Sequence, residues 1–268
     1  MAWNILHGGG AARMPLIALS LVEHDADVIV LTEFRTHVGG QIRSVLADHG
    51  WVHQRCTDPG KNKNGVLLAS RLPLEDPAEP APSVFSAGIC ARRWLEAFIP
   101  SVEVGIAGIH VPCEGRDSTR AAFLRGVIEV ARRRSERSFM LVGDFNLGRH
   151  YLDEEGASFA NTPMLGMLAT LGYIDAWRHR RPQGREYSWF SHEGAGFRID
   201  HALLSPGMAG ALVNAWYSHD ERDAGISDHS ALLVTVDPAS AGASSGRGDG
   251  GSRADSTEKS SGFRAGAT

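Results

Sequence analysis

Cysteine is scarce in this sequence of 268 residues. The chain carries 3 cysteines, Cys56, Cys90 and Cys113, which are widely spaced and include no pair in C-x-x-C spacing. Such a set argues against a disulfide framework and against a structural zinc site, because both rely on paired thiols. The pattern is typical of a reducing compartment, and we predict a cytoplasmic location.

Long hydrophobic runs and a strong charge of one sign are also missing. No apolar stretch approaches the roughly 18 residues of a membrane-spanning helix, and the N-terminus lacks a charged region followed by an apolar core. We therefore expect no membrane segment and no signal peptide. With 27 basic and 31 acidic residues the formal net charge is −4, so any contact with nucleic acid has to be local. Nothing in the sequence indicates an obligate protein partner.

Apolar residues are plentiful enough for a substantial core. They make up 43% of the sequence, which suits a globular protein. This character ends at Asp237, beyond which Ser, Gly, Ala and charged residues cannot repay the entropy of ordering. We predict one folded domain over residues 1–236 and a disordered Ser/Gly-rich tail over residues 237–268.

Strand-like and helix-like segments alternate along the domain. The clearest strand is the apolar run that leads through Gly143 to Asp144 and Asn146, and the clearest helix covers Asp117 to Arg137. Several strands come in hairpin-like pairs rather than in a strict βαβ rhythm. The pattern predicts an α/β sandwich of two mixed β-sheets packed face to face, with helices outside.

Polar side chains lie at or near the ends of the apolar strands. The set is Asn4, Glu33, His110, Asp144, Asn146, Asp200, Asp228 and His229. If the strand ends meet at one end of the sandwich, these residues form a polar cleft. Carboxylates and amides without cysteine suit a hard cation such as Mg²⁺ or Mn²⁺ rather than zinc.

The same residues carry a resemblance to a known superfamily. The motifs are Trp3-Asn4-Ile5, Leu31-Thr32-Glu33, His110-Val111-Pro112, Gly143-Asp144-Phe145-Asn146, Arg198-Ile199-Asp200-His201 and Ser227-Asp228-His229. In this order they resemble the motif set of the endonuclease/exonuclease/phosphatase superfamily, which includes exonuclease III and deoxyribonuclease I. The resemblance implies a four-layered α/β sandwich as a catalytic domain and metal-dependent hydrolysis of phosphoesters.

The resemblance also implies roles for individual residues. Glu33 resembles the principal Mg²⁺ ligand, with Asn4 and Asp228 near the same metal, and Mn²⁺ is a possible substitute. His229 resembles the active-site histidine, and Asp200 the carboxylate that hydrogen-bonds its other ring nitrogen.

Three further site residues complete the implied machinery. Asp144 resembles the carboxylate that orients or deprotonates the attacking water, and Asn146 a donor to the scissile phosphate. Either His229 or Asp144 suits the role of general base. His110, if protonated, could stabilise charge in the transition state, although exonuclease III-like enzymes usually carry tyrosine there; a structural histidine at the strand end is the alternative.

The expected substrate rests on a second set of residues. Arg178, Trp189 and Arg198 lie in a segment that resembles the nucleic-acid-facing part of exonuclease III-like proteins, and Arg116 could add a phosphate contact. An aromatic mini-core beneath a basic loop is the alternative interpretation. We expect a nuclease or phosphodiesterase acting on DNA or related nucleic acid; lipid or inositol phosphates are the rival substrates, and a catalytically weak binding protein is the third possibility.

Overall fold

A computed structural model describes residues 1–86, 88–113 and 118–241 of the chain. Within these residues the strands are β1 Ala2–Asn4, β2 Val28–Phe34, β3 His53–Cys56, β4 Gly65–Ser70, β5 Trp94–Ile99, β6 Val104–His110, β7 Phe139–Asp144, β8 Ile174–Asp175, β9 Trp189–Phe190, β10 Gly196–Phe197, β11 Asp200–Leu204, β12 Leu212–Ser218 and β13 Ala231–Val236. The predicted central strand is therefore present as β7, and every one of its residues is buried.

The helices lie between these strands. They are α1 Gly10–His24, α2 Gly40–Asp48, α3 Gly88–Ala91, α4 Ser118–Arg134, α5 Pro163–Thr170, α6 Ala176–Arg180, α7 Pro206–Ala209 and α8 Asp220–Asp223. The longest, α4, is the helix that the sequence predicts over Asp117 to Arg137, and it buries Phe123, Val127 and Val130. No helix of the described residues is long and apolar enough to cross a bilayer.

Two large mixed sheets form the framework, as the sequence predicts. One has six strands in the order β12-β13-β1-β2-β4-β3, and the other has five in the order β5-β6-β7-β11-β8. In the first sheet β1 pairs in parallel with β2 and antiparallel with β13. In the second, β6 pairs in parallel with β7, and β7 pairs antiparallel with β11.

The sheets pack face to face through apolar side chains, with helices on both outer faces. Val30, Val66 and Leu68 of the first sheet share one core cluster with Met140 and Val142 of the second. Burying a side chain of this kind contributes about 1.5–3 kcal/mol, so packing between layers dominates over strand propensity. The approach is close at Gly108, where an added Cβ would lie 2.8 Å from Val30 and 2.9 Å from Val66.

Helices α1 and α2 cover the outer face of the six-stranded sheet, and α4 and α5 cover the five-stranded one. Ile17 of α1 and Leu46 of α2 share a cluster with Trp3 of β1. Phe123 of α4 and Leu165 of α5 share another with residues of β7. The result is the expected four-layered α/β sandwich.

The predicted tail begins where the last strand ends. Asp237 caps a short 3₁₀ turn, Pro238–Ser240, by accepting a hydrogen bond from the Ala239 N–H at 3.1 Å. Residues 242–268 lie outside the described residues, so disorder of the tail stays a prediction.

Candidate active site

Strand direction brings the predicted polar residues to one end of the sandwich. Asn4 ends β1 and Asp144 ends β7, while His110 ends β6 and lies opposite Asp144 in the parallel ladder. Strand β11 runs the other way, so its first residue, Asp200, also lies opposite Asp144. Because β13 is antiparallel to β1, His229 precedes it at the same end. Residues scattered along more than two hundred positions thus converge.

A buried group of His229, Asp200 and Asp144 forms the centre of this end. His229 Nδ1 donates a hydrogen bond to Asp200 Oδ2 at 2.9 Å. One ligand-type atom from each of the three residues lies within 4.8 Å of the others. The Tyr217 hydroxyl donates to the Asp200 main-chain carbonyl at 2.5 Å, and the Trp3 indole N–H to that of His229 at 3.0 Å. Side chains of β12 and β1 therefore fix the main chain of Asp200 and His229.

The proton affinities within this group are strongly shifted. Burial by itself lowers the pKa of His229, but the carboxylates of Asp200, Asp144 and Asp228 together outweigh burial and raise the pKa to about 10. Burial raises the pKa of Asp144 to about 7, against the opposing positive charge of His229. Near neutral pH, His229 is thus charged while Asp144 exchanges its proton.

Two asparagines orient the Asp144 carboxylate. Asn4 Nδ2 donates to Asp144 Oδ2 at 3.0 Å, and the Asn146 main-chain N–H donates to Oδ1 at 2.9 Å. Asn146 also donates through Nδ2 to the Val111 carbonyl at 2.9 Å. The turn needs Gly143, whose φ is 137° and where an added Cβ would lie 2.2 Å from the Ile109 carbonyl oxygen.

Glu33 lies at an irregular point of its strand. Its φ is 57°, and the pairing of β2 with β4 shifts register between Thr32 and Phe34. One carboxylate oxygen, Oε2, accepts the His7 main-chain N–H at 2.7 Å. The other, Oε1, lies 3.9 Å from His110 Nε2.

His110 is buried among these carboxylates without a hydrogen-bond partner. It is 1% exposed, and neither ring nitrogen has a partner among the described residues. Its Nε2 lies 3.6 Å from Asp144 Oδ2. Burial and the charge of Arg93 lower the pKa of His110 well below its ordinary value. Both effects favour the neutral ring over the protonated one on which the conditional role in charge stabilisation depends.

The donor set at this end fits a divalent cation. Oxygen donors come from Asn4, Glu33 and Asp228, and Asp228 Oδ1 is buried without a partner among the described residues. The two ring nitrogens of His110 are further buried polar atoms without a hydrogen-bond partner among the described residues. Asp200 and His229 also come close to Asp144, but they hydrogen-bond to each other, which suits proton chemistry better than metal ligation. Hard oxygen ligands favour Mg²⁺ or Mn²⁺.

Two predicted substrate-binding arginines lie in the core instead. Arg198 is 0% exposed and donates to Asp175 Oδ2 at 2.6 Å and to Asp153 Oδ1 at 2.7 Å. Arg178 donates to the same Asp153 oxygen at 2.5 Å. Both guanidinium groups lie near the ring of buried Trp177, with centroid distances of 5.0 Å. The alternative interpretation, an aromatic mini-core, therefore describes these two residues, because a buried arginine paired with carboxylates does not reach a ligand.

The other two predicted contacts have different outcomes. Trp189 is half-buried beside the candidate site, with its ring 6.4 Å from that of His229 and its indole N–H donating to Asp228 Oδ2 at 3.1 Å. Arg116 lies outside the described residues.

Sequence reasoning missed three residues near this end. His7 contacts Glu33, and Arg93 donates to the His110 carbonyl at 3.4 Å. Neighbouring Arg92 has a buried Nε without a partner among the described residues. A histidine directly after the first strand was a usable signal, whereas the two arginines precede β5 and have no local pattern that indicates the site.

Fold and site together define a class, a phosphoester hydrolase built on a four-layered sandwich. The chain belongs to the endonuclease/exonuclease/phosphatase family, whose model matches residues 1–229. No curated protein matches the sequence.

Several solved structures share the fold. A 3′-5′ exonuclease from Neisseria meningitidis is 25% identical with a TM-score of 0.72, and the match covers 88% of this chain and 98% of that one. A 3′ phosphatase from Neisseria, bound to a product DNA hairpin, is 24% identical with a TM-score of 0.74 and the same coverage. An AP endonuclease from Archaeoglobus fulgidus is 19% identical with a TM-score of 0.74, covering 88% of this chain and 100% of that one.

Proposed function

We propose that this protein is a Mg²⁺- or Mn²⁺-dependent phosphodiesterase that hydrolyses DNA or a related nucleic acid by attack of water on phosphorus. The observation that carries the proposal is the buried group of Asp144, Asp200 and His229, with ligand-type atoms within 4.8 Å of one another. A charged histidine next to a carboxylate that exchanges its proton near neutral pH suits hydrolysis of an anionic ester.

The pKa shifts give Asp144 and His229, the two candidate bases, different roles. Because the pKa of Asp144 is about 7, its carboxylate can take a proton from water at neutral pH. The pKa of His229 is about 10, so its imidazolium keeps its proton and can donate from Nε2 to a phosphoryl oxygen. Asp200 holds the ring through Nδ1 and stabilises its charge. We therefore assign the base to Asp144 and charge stabilisation to His229.

The surrounding residues bind and orient the phosphate. Asn146 has one amide hydrogen beyond its bond to Val111, and in the proposal this hydrogen is donated to the scissile phosphate. Asn4, Glu33 and Asp228 would hold the divalent cation, which when bound polarises the phosphoryl oxygen and neutralises charge on the leaving group. Neutral His110 supplies a directional hydrogen-bonding group between Glu33 and Asp144.

Aromatic surface beside the site supports a nucleic-acid substrate. Trp189 and Phe197 have ring centroids 5.7 Å apart, and Phe190 is 42% exposed with the Arg222 guanidinium 4.7 Å from its ring centroid. Rings and arginines next to a phosphate site suit base stacking and backbone contact. The DNA-processing structural relatives point the same way. The three free cysteines support the cytoplasmic location that we include in the proposal.

The test is hydrolysis of bis-p-nitrophenyl phosphate by purified protein with Mg²⁺ or Mn²⁺. We expect turnover that a chelator abolishes and that added metal restores. A panel of plasmid DNA, an abasic-site duplex, single-stranded RNA, sphingomyelin and inositol phosphates then identifies the substrate. Turnover that survives exhaustive chelation would contradict the metal dependence, and hydrolysis of a lipid or inositol phosphate without any of DNA or RNA would contradict the substrate class.

A further inference from the structure

His7 makes two contacts to the same oxygen of Glu33. Its main-chain N–H donates to Glu33 Oε2 at 2.7 Å, and its ring Nδ1 lies 2.6 Å from that oxygen. The second oxygen, Oε1, has no such neighbour among the described residues and lies 3.9 Å from His110 Nε2. The two oxygens of this carboxylate are therefore distinguished: one is occupied by His7 and the other faces the interior of the site.

The turn that carries His7 has an unusual backbone. Five consecutive residues have positive φ, at 47° for Leu6, 56° for His7, and 76°, 80° and 64° for Gly8, Gly9 and Gly10. Residues with a Cβ rarely adopt this conformation, and such strain persists only where surrounding contacts enforce it.

Those contacts come from the site itself. The Leu6 N–H donates to Asn4 Oδ1 at 3.0 Å, and Arg13 donates to the Leu6 carbonyl at 2.9 Å. The turn thus connects one candidate metal ligand, Asn4, to another, Glu33.

Asn64 lies beside the same ring. Its Nδ2 is 3.1 Å from His7 Nδ1, but both nitrogens are donors when Nδ1–H faces Glu33, so this approach is a contact and not a hydrogen bond. Arg35 Nε holds Asn64 by donating to its Oδ1 at 2.7 Å. The His7 side chain is nonetheless 57% exposed. A contact this open to solvent contributes little to the stability of a fold, so a role of the His7 ring would be local to Glu33.

We propose that His7 is a positioning residue that occupies Glu33 Oε2 and so presents Oε1 alone to the divalent cation. The inference rests on the proposed function, because it assigns Glu33 to that cation. Partners that orient a ligating carboxylate typically change metal affinity by about 10- to 100-fold when they are removed.

The experiment measures Mn²⁺ binding by titration calorimetry, alongside hydrolysis of bis-p-nitrophenyl phosphate. His7→Gly is the informative variant, because glycine accepts the positive φ and keeps the main-chain donor while it removes only the ring. We expect its affinity for Mn²⁺ to fall at least about tenfold, with a melting temperature no lower than that of the original protein. His7→Gln, which restores a side-chain donor, should recover part of the loss.

The controls separate this inference from the proposed function. His179→Ala removes an exposed histidine of α6 and should bind Mn²⁺ like the original protein. Asn64→Ala keeps both His7 contacts and should lose less affinity than His7→Gly. Unchanged Mn²⁺ affinity in His7→Gly would overturn the positioning role and leave the proposed function intact. If the original protein itself neither binds Mn²⁺ nor hydrolyses the ester, the proposed function fails and this inference fails with it.

Discussion

Two buried polar clusters lie next to each other around β11, which contributes Asp200 to one and His201 to the other, and they are built in opposite ways. The arginine cluster consists of Arg178, Arg198, Asp153, Asp175 and His201. In it, Asp175 accepts from Arg198 through both oxygens, at 3.1 and 2.6 Å, and lies 3.0 Å from His201 Nδ1. Although burial opposes ionisation, the Arg198 guanidinium holds the pKa of Asp175 well below its ordinary value.

The candidate catalytic cluster consists of Asp144, Asp200, His229 and His110. Here the pKa of a carboxylate, Asp144, is raised to about 7, and both ring nitrogens of His110 lack partners among the described residues. A main-chain bond links the segments that carry the two clusters, since Phe145 N, next to Asp144, donates at 2.8 Å to the carbonyl of Ile199, which lies between Arg198 and Asp200. Dense ion pairing in the arginine cluster and, in the other, a His110 ring without a hydrogen-bond partner among the described residues are the reasons for proposing that the first supports the fold and the second performs chemistry.

Replacing His229 with alanine should give the largest effect on activity. The substitution removes the charged donor from the candidate catalytic cluster, and we expect turnover of bis-p-nitrophenyl phosphate to fall by about 10²- to 10⁴-fold. Thermal unfolding followed by circular dichroism should remain cooperative, because the substitution removes a catalytic group and leaves the packing of the two sheets in place. Turnover within a factor of three of the original would remove His229 from the mechanism.

A substitution in the arginine cluster should instead lower the free energy of unfolding. Arg198→Met leaves two buried carboxylates without their main cation, and breaking a buried pair in this way costs about 3–5 kcal/mol of unfolding free energy. Urea denaturation measures the loss. Arg132→Met is the matched control, since its exposed pair with Glu129 at 3.3 Å should contribute at most about 1 kcal/mol. Equal stability of the two variants would mean that the cluster does not support the fold.

The pH dependence of the rate tests whether Asp144 acts as the base and His229 as the charged donor. Asp144 must be ionised to act as base, so kcat/KM should rise about tenfold per pH unit below the raised pKa of about 7. His229 must stay protonated, so the rate should fall as pH passes its pKa of about 10. If His229 were the base, the rate would instead rise through about 10. A stopped assay with Mg²⁺ across this range distinguishes the two profiles.

Much of the fold follows from local pattern. Apolar runs such as β7 and the amphipathic α4 are recognisable because burial imposes a period on the sequence, and hairpin-like pairs indicate mixed sheets. The strand-end residues of the site were predictable for the same reason. Asn4, Glu33, His110 and Asp144 each lie at the end of an apolar segment, and Asp228 lies just before one.

The failures share one physical cause. Arg178 and Arg198 have the sequence signature of a phosphate-binding segment, and only their contacts with Asp153 and Asp175 reveal that they are buried. The charge of His110 likewise depends on burial and on Arg93. Burial and the identity of distant neighbours are not properties of a local pattern, so sequence alone left them open.

By itself, the sequence determined which chemical groups stand at the strand ends and which sheet architecture carries them, because residue type and periodicity are local properties. The tertiary structure decided which of these groups meet, and therefore which are charged. His7 and Glu33 are 26 positions apart, and His229 and Asp200 are 29 apart. The first contact forms when β1 pairs with β2, and the second forms only when the two sheets pack. The second contact decides the proton affinities on which the proposed chemistry depends.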